Sequence, residues 1–479
     1  MKTHIHRIVK NIISLSIGNL LGRACGLVLV IVLARYLGPK HYGVYSLAFT
    51  YYMIMYFLTN LGLDIYYVKE ASRAEKIDKV FFETNISLKL VSSIVSILII
   101  IIVVMSLNYN DITKTAICFF SIALVFNHVS DTFKSLFDAK ELMFHSSILE
   151  LARSVVSLVL VIMVVYFNGN VLDALSMQII SYALSAILAC LLVDKVLISL
   201  KSFRFNLINA KAIISQSIPF WYVTALFIIN TRMDLLMISW MENESEVGLY
   251  SSAVELINVI MIVPMMINKA FFPSISRNFA TDKTEMIRIA NFGFKLSITL
   301  GVPIAFGCYI LSPEIIHLVF GENFADAKIV LQILSINLFL QFGGTLLGWF
   351  FTATDDIRTI VVLNSVALII NITGNLLLIP MFGIAGAAIT TVFARLFVSL
   401  VMNYLRFKKF REIKYFTFYG KPIIAAAVMT YCLLQIDNVY LPLTVMIGAT
   451  IYFFTFVLMG GMSKEEYLGL KNFIKNDNS

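Results

Sequence analysis

Residues 14–49 read SLSIGNLLGRACGLVLVIVLARYLGPKHYGVYSLAF. A long apolar run carries one arginine, Arg23, near its middle and ends at Arg35. It breaks at Gly38-Pro39 and resumes at Tyr42-Gly43-Val44-Tyr45 as a second apolar run. About 20 apolar residues cross a bilayer, so the pattern predicts two membrane helices joined by a tight turn. A cation at the depth of Arg23 costs on the order of 3 kcal/mol on insertion scales, so something specific must offset it.

The stretch has an echo. Ser14-Leu15-Ser16-Ile17-Gly18 returns in style as Ser215-Gln216-Ser217-Ile218-Pro219, and Tyr42-Gly43-Val44-Tyr45-Ser46-Leu47-Ala48 returns as Val247-Gly248-Leu249-Tyr250-Ser251-Ser252-Ala253. Two similar halves, each opening with a helix pair, are the pattern of a transporter built from repeated bundles with its site between them.

Composition sets the class. Of 479 residues 59% are hydrophobic and 14% charged, and the mean hydropathy is +0.86. Soluble domains carry roughly 25% charged residues, so this is a polytopic membrane protein. The five cysteines sit singly inside apolar runs, which predicts neither disulfides nor a metal site. Lys2, Arg7 and Lys10 precede an apolar segment too long for a signal-peptide core, which reads as a retained first span.

Apolar runs of spanning length predict an all-α polytopic membrane protein with about 14 transmembrane helices: two six-helix bundles in a pseudo-symmetric repeat plus two C-terminal helices. The division falls at residues 1–200, 201–414 and 415–479. Expected spans include 42–63, 115–136 and 248–272, and the longest connections are expected at Asp194 to Lys211 and Pro273 to Ala290. No catalytic domain fits in such loops.

Cations mark one side. Lys69, Arg73, Lys76, Lys140, Lys201, Arg204, Arg277, Lys283, Arg406, Lys408, Lys409 and Lys414 alternate with loops carrying little beyond Lys40 and Lys114, one of which holds Glu242, Glu244 and Glu246. The Lys/Arg bias places both termini in the cytoplasm. The net charge of +8 fits loops facing anionic lipid and calls for no nucleic acid.

Polar groups inside spans face a bundle interior or a watery cavity. Ser16, Asn19 and Arg23 share one helix face. Thr391 and Arg395 lie four apart on a later span, and Asn364, Asn371 and Asn375 form a polar seam on the span before it. Arg23 and Arg395 lie too far from either interface to snorkel, so both are candidates for a ligand contact. Arg232, Asp234 and Glu255 lie toward the side opposite the basic loops, with Glu255 the expected partner of Arg232. Lys89, Lys269 and Lys295 are expected to snorkel, and Glu150 to pair with Arg153. His128 and Asp131 lack a companion nucleophile, so no catalytic residue and no enzyme activity are expected.

Ala34-Arg35-Tyr36-Leu37-Gly38-Pro39-Lys40-His41-Tyr42-Gly43-Val44-Tyr45 resembles the A-R-x-L-G-P-x-x-Y-G-x-Y signature of Wzx-type polysaccharide flippases in the multidrug/oligosaccharidyl-lipid/polysaccharide exporter superfamily. Asn230-Thr231-Arg232-Met233-Asp234, Val247-Gly248-Leu249-Tyr250 and Phe272-Pro273 resemble the same family's second half. The signature turn is thus Arg35, Gly38, Pro39, Tyr42, Gly43 and Tyr45. The resemblance implies a central cavity that moves a polyprenyl-(pyro)phosphate-linked oligosaccharide from the cytoplasmic to the outer leaflet of the cell membrane by alternating access. Cavity cations of the family map onto Arg23, Arg232 and Arg395, with Asn19, Asn371, Asn375, Asp234 and Glu255 as cavity polar groups.

No cofactor or metal is expected; the membrane potential, H+ or Na+ are the candidate energy sources. The expected partners are the lipid-linked glycan and membrane lipids, with the protein a monomer beside glycan polymerase or glycosyltransferases. Two rivals stand beside this reading: a cation-coupled multidrug exporter of the same superfamily, which would want acidic cavity residues, and a membrane glycan polymerase or ligase, which would want a large external loop.

Overall fold

The computed structural model describes residues 2–74, 78–197, 204–354, 356–436 and 440–461, without the side chains of residues 2–20 and Val223. The side chains of Ser16 and Asn19 on the predicted polar face therefore lie outside the description, and the loop cations Lys76 and Lys201 lie outside the described residues.

Among those residues the chain is helical, with no strand. The first helices are α1 (Lys2–Asn60), α2 (Leu63–Arg73), α3 (Lys79–Ser106), α4 (Asp111–Phe120), α5 (Ala123–Ala139), α6 (Met143–Tyr166), α7 (Val171–Val196) and α8 (Ala210–Met241). Then come α9 (Glu244–Ile260), α10 (Ile262–Thr281), α11 (Lys283–Ile310), α12 (Ser312–Phe320), α13 (Ala327–Ala353), α14 (Ile357–Lys409), α15 (Gly420–Leu433) and α16 (Leu441–Leu458). Eleven segments among the described residues are long and apolar enough to cross a membrane, or twelve with α8, which bends by 49° between Tyr222 and Thr224. Pro219, one turn earlier, removes a helix hydrogen bond and favours that bend.

Two of these segments are each two rods joined at a glycine break. α1 breaks at Gly38 (φ 71°, ψ 171°) and α14 at Gly383 (φ 57°, ψ −139°). Both values lie where a Cβ is strained, so glycine supplies the turn that joins the two rods. The segment count is compatible with about 14 spans.

Some sequence boundaries are corrected. The run at 42–63 stops at Asn60, because Leu61 and Gly62 take φ of 53° and 73° and turn the chain into α2. Asp64 therefore lies in the first turn of α2, and Lys69 and Arg73 ride on the same helix. The expected connection at Pro273 to Ala290 is almost wholly helical: Asp282 ends α10 and caps α11, accepting from the amides of Thr284 and Glu285 at 2.9 and 3.1 Å. A polar helix outside an apolar run leaves no hydropathy signal, which is why it reads as a loop.

The chain separates into two compact units, Met1–Ser252 and Ala253–Ser479. This division follows packing, whereas the division at residues 200 and 414 follows repetition. The first unit buries Tyr67, Phe82, Phe133, Leu136, Phe137 and Leu149 around α2, α3, α5 and α6. The second buries Phe294, Leu346, Phe350, Phe351, Met429 and Tyr452. There α16 is tied to α11 by Tyr452, whose hydroxyl donates to the Thr299 carbonyl at 2.7 Å. Lipid is as apolar as these side chains, so such cores are held by close contact more than by escape from water.

Candidate functional site

The signature turn and its echo meet. Residues 39–46 of α1 lie against 244–251 of α9, inside the first unit, and every matched pair is 205 positions apart. Ser46 and Ser251 share a hydrogen bond of 2.6 Å between their hydroxyls. A Cβ on Gly43 would collide with the Glu244 carbonyl, and one on Gly248 with the Pro39 carbonyl. The contact is therefore reciprocal, each glycine admitting the backbone of the other segment. Tyr36 donates to the Gly169 carbonyl at 2.9 Å, fixing the turn from the α6–α7 side. Tyr42 and Tyr45 are buried beside it, while Arg35 is exposed.

Side chains surround the crossing. Glu244 accepts from Asn110 Nδ2 at 2.7 Å and from Thr113 Oγ1 at 2.9 Å. Tyr109 bonds Ser239 at 2.7 Å and Tyr51 at 3.2 Å, and Trp240 donates to Tyr51 at 3.3 Å. Beside it a cavity of about 340 Å³ is lined by Lys40, His41, Val44, Asn110, Asp111 and Ile112.

The predicted cations fall in different settings. Arg23 is exposed on α1, in a segment that by composition crosses the membrane. Arg232 of α8 is half-buried, with Nη2 3.2 Å from the Met53 sulfur and the guanidinium 5.9 Å from the Phe49 ring centroid, so it lies over the α1 rod that follows the signature turn. Asp234 is buried and accepts from the Tyr250 hydroxyl at 2.7 Å. Glu255 is half-buried at the start of the second unit.

In the second unit Arg395 is half-buried on the later rod of α14. Of the asparagine row, Asn371 and Asn375 are joined, while Asn364 donates to the Ile360 carbonyl of its own helix at 2.9 Å. Asn375 donates to Asn371 and Asn371 to Thr391, both at 3.3 Å, the second bond joining the two rods of α14 across Gly383. Gly374 lies so close to Thr390 that a Cβ would not fit.

A larger polar feature escaped the sequence reading. Lys89 of α3 is fully buried and ion-paired with Asp64, whose carboxylate also accepts from Asn60 at 2.6 Å and Ser135 at 2.8 Å. Asp131 of α5 accepts from Tyr56 and pairs with Lys134 at 2.5 Å. Lys134 reaches Glu150 of α6 at 2.9 Å, and Glu150 pairs in turn with Arg153, as expected. The Arg153 guanidinium stands 5.2 Å from the Tyr182 ring centroid of α7. Three carboxylates and three cations thus balance inside one unit. Lys89 does not snorkel: its stem leads to an acid that the Gly62 break brings alongside α3, and a close pair at low dielectric outweighs the reach to water. His128 sits beside the chain, with Nδ1 2.6 Å from Ser93 Oγ and its ring stacked on Tyr56.

The sequence and the fold are similar to those of known proteins. A family model described as polysaccharide biosynthesis protein covers residues 8–279, and the MatE model covers 219–377. The capsular polysaccharide biosynthesis protein CapF of Staphylococcus aureus is 22% identical over 407 residues, 84% of this chain and 99% of CapF. A probable low-salt glycan biosynthesis flippase, Agl15 of Haloferax volcanii, is 27% identical over 184 residues, 38% of this chain and 39% of Agl15. The fold is similar to that of the lipid II flippase MurJ in an inward closed conformation, with a TM-score of 0.77 over 93% of this chain and 98% of MurJ at 14% identity. Since the first of these family models spans more than half of the sequence, the chain belongs to the polysaccharide biosynthesis protein family.

Proposed function

We propose that the protein is a flippase that carries a polyprenyl-(pyro)phosphate-linked oligosaccharide from the cytoplasmic to the outer leaflet, for a surface polysaccharide. The observation that carries this reading is the family match over residues 8–279, supported by relatives named for capsule synthesis and for glycan flipping. It is a multi-pass membrane transporter and not an enzyme. The chemistry agrees. A sugar-phosphate headgroup loses water from charges and hydroxyls if it crosses hydrocarbon unaided, and arginines supply paired donors to phosphate oxygens.

Arg23 is exposed in a segment long and apolar enough to cross a membrane, and since a charge facing lipid is costly we assign its side chain to a watery path. We assign Arg23, Arg232 and Arg395 to the headgroup, and Asn19, Asn371, Asn375, Asp234 and Glu255 to the polar lining. The lipid tail stays in the bilayer. Moving a negative charge outward from a cytoplasm-negative interior gains about 2.3 kcal/mol per charge per 100 mV, so the membrane potential is a sufficient driver, with H+ or Na+ as the other candidates. We assign the protein to the plasma or inner membrane; the Lys/Arg bias supports both termini in the cytoplasm, with the Gly38 end of α1 outward. We assign it to work as a monomer beside the polymerase and glycosyltransferases.

The MatE match favours a second reading, a cation-coupled multidrug exporter. A cationic drug needs carboxylates without partners; Asp64, Asp131 and Glu150 are paired with cations, and Asp234 of the assigned lining accepts from the Tyr250 hydroxyl at 2.7 Å. Deletion of the gene tests the first reading. Lipid-linked glycan is expected to accumulate on the cytoplasmic face, with display restored by the intact chain; unchanged distribution of the lipid-linked glycan would exclude it.

A further inference from the structure

The cavity of about 340 Å³ beside the signature turn is lined by Lys40 and His41, which follow the turn, and by Asp111 and Ile112, which open α4. Lys40, His41 and Asp111 are exposed, and among the described residues their side chains form no hydrogen bond or ion pair. A cation and a carboxylate thus share one cavity without meeting. Lys89 of the same unit, by contrast, is buried against Asp64.

The walls of the cavity are fixed from behind. Asn110 holds the start of α4, its Oδ1 accepting from the Thr113 amide at 2.8 Å while its Nδ2 donates to Glu244 at 2.7 Å. On the other side Tyr36 ties the turn to the Gly169 carbonyl at 2.9 Å. Walls set in advance reduce the ordering cost of binding.

The lining selects a class of ligand. A lone anion would meet the Asp111 carboxylate, and a lone metal ion would meet the Lys40 ammonium. A wholly apolar molecule would take water from both charges and replace none of its bonds. A sugar ring suits every wall: its hydroxyls accept from Lys40, donate to Asp111 and do both with a neutral His41 imidazole, while its C–H face lies on Val44 and Ile112. The size agrees, since small-molecule sites begin at about 300 Å³, which admits one or two rings and no polyprenyl chain.

We propose that Lys40, His41 and Asp111 form a sugar-binding subsite at the outer face, which holds one residue of the glycan after the headgroup has crossed. Its place in export rests on the flippase reading and on the orientation with the Gly38 end of α1 outward; the binding of a sugar does not.

The test uses the full chain in cells that make the glycan, with Ile112 replaced by photoreactive p-benzoylphenylalanine. Irradiation is expected to attach carbohydrate, identified by mass spectrometry of the labelled peptide. Adding Lys40→Gln and Asp111→Asn is expected to lower the adduct per protein at least about tenfold, because each removes a bond to a charged group. Neither side chain has a partner among the described residues, so protein abundance is expected to hold, which separates loss of the ligand from loss of the fold. Phospholipid captured in place of carbohydrate, no adduct at all, or a carbohydrate adduct undiminished in the double variant would each overturn the subsite.

A polyprenyl phosphate on the captured sugar would identify the lipid-linked glycan as its source, and a bare sugar would identify released glycan; both support the subsite. If gene deletion leaves the distribution of lipid-linked glycan unchanged while carbohydrate is captured, the flippase reading fails and the subsite stands. If deletion traps lipid-linked glycan on the cytoplasmic face and nothing is captured, the subsite fails alone.

Discussion

The two units bury their polar groups in opposite ways. The first strings Asp64, Lys89, Asp131, Lys134, Glu150 and Arg153 into paired charges that join α2, α3, α5 and α6. The second uses neutral groups near its candidate cation: Asn375, Asn371 and Thr391 in a row, on the two rods of the helix that carries Arg395. Paired charges are rigid, since removing either partner strands the other at low dielectric. Amides and hydroxyls exchange partners at little cost, and they leave an arginine uncommitted to a fixed carboxylate. The contrast predicts a rigid charge network in the first unit and a more adaptable amide row in the second.

The largest effect that could break the comparison is expected at Lys89. Lys89→Met leaves the Asp64 carboxylate with Asn60 and Ser135 alone, and stranding a buried charge costs about 3–5 kcal/mol. Folded protein, measured by thermal unfolding in detergent, should fall sharply. Adding Asp64→Leu to the same chain should recover most of the loss, because replacing both partners of a buried pair by apolar side chains is often neutral. If Lys89→Met is as stable as the parent, the charges are not a scaffold.

Next comes Arg23, where activity and folding are expected to separate. Arg23→Ala removes a charge that costs on the order of 3 kcal/mol to insert, so the protein should remain at normal abundance while glycan display is lost. Arg23→Lys should recover part of the activity, since lysine retains the charge without the planar fork that grips two phosphate oxygens. Display normalised to protein level by quantitative blot is the measurement. Normal display in Arg23→Ala would remove Arg23 from the headgroup site. A collapse in protein level would place it with the structural cations of the first unit.

How much of this was legible in the sequence depends on whether partners lie along the chain or across it. Gly38-Pro39 announces its turn because glycine and proline are local signals, and the echo at Val247-Gly248 is visible because the same spacing recurs. Glu150 and Arg153 are three apart on one helix and pair as expected. Lys89 and Asp64 are 25 apart on separate helices. Depth alone was readable for Lys89, and depth suggests snorkelling; only the break at Gly62, which turns Asp64 back toward α3, reveals the pair. The reciprocal packing of Gly43 and Gly248 was likewise out of reach, because similarity between two segments does not say that they touch. For Arg23, Arg232 and Arg395 the apolar surroundings were readable, whereas the ligand is a matter of chemistry beyond the chain.

The smallest effect sharpens the other side of the comparison. Asn371 donates to Thr391 at 3.3 Å and accepts from Asn375 at the same distance, joining the two rods of α14 on either side of Gly383. Interhelical bonds of this kind average about 0.6 kcal/mol in a membrane protein, because the groups find other partners when separated. Asn371→Leu should therefore shift thermal unfolding only slightly, in contrast to Lys89→Met. Its effect on display should be larger than its effect on stability, since the seam runs along the helix bearing Arg395 and the substitution replaces an amide that can meet a sugar hydroxyl. A stability loss in Asn371→Leu as large as that of Lys89→Met would mean that the second unit is held as rigidly by its amides as the first is by its charges. The functional contrast between the two units would then fail, even with both polar networks present.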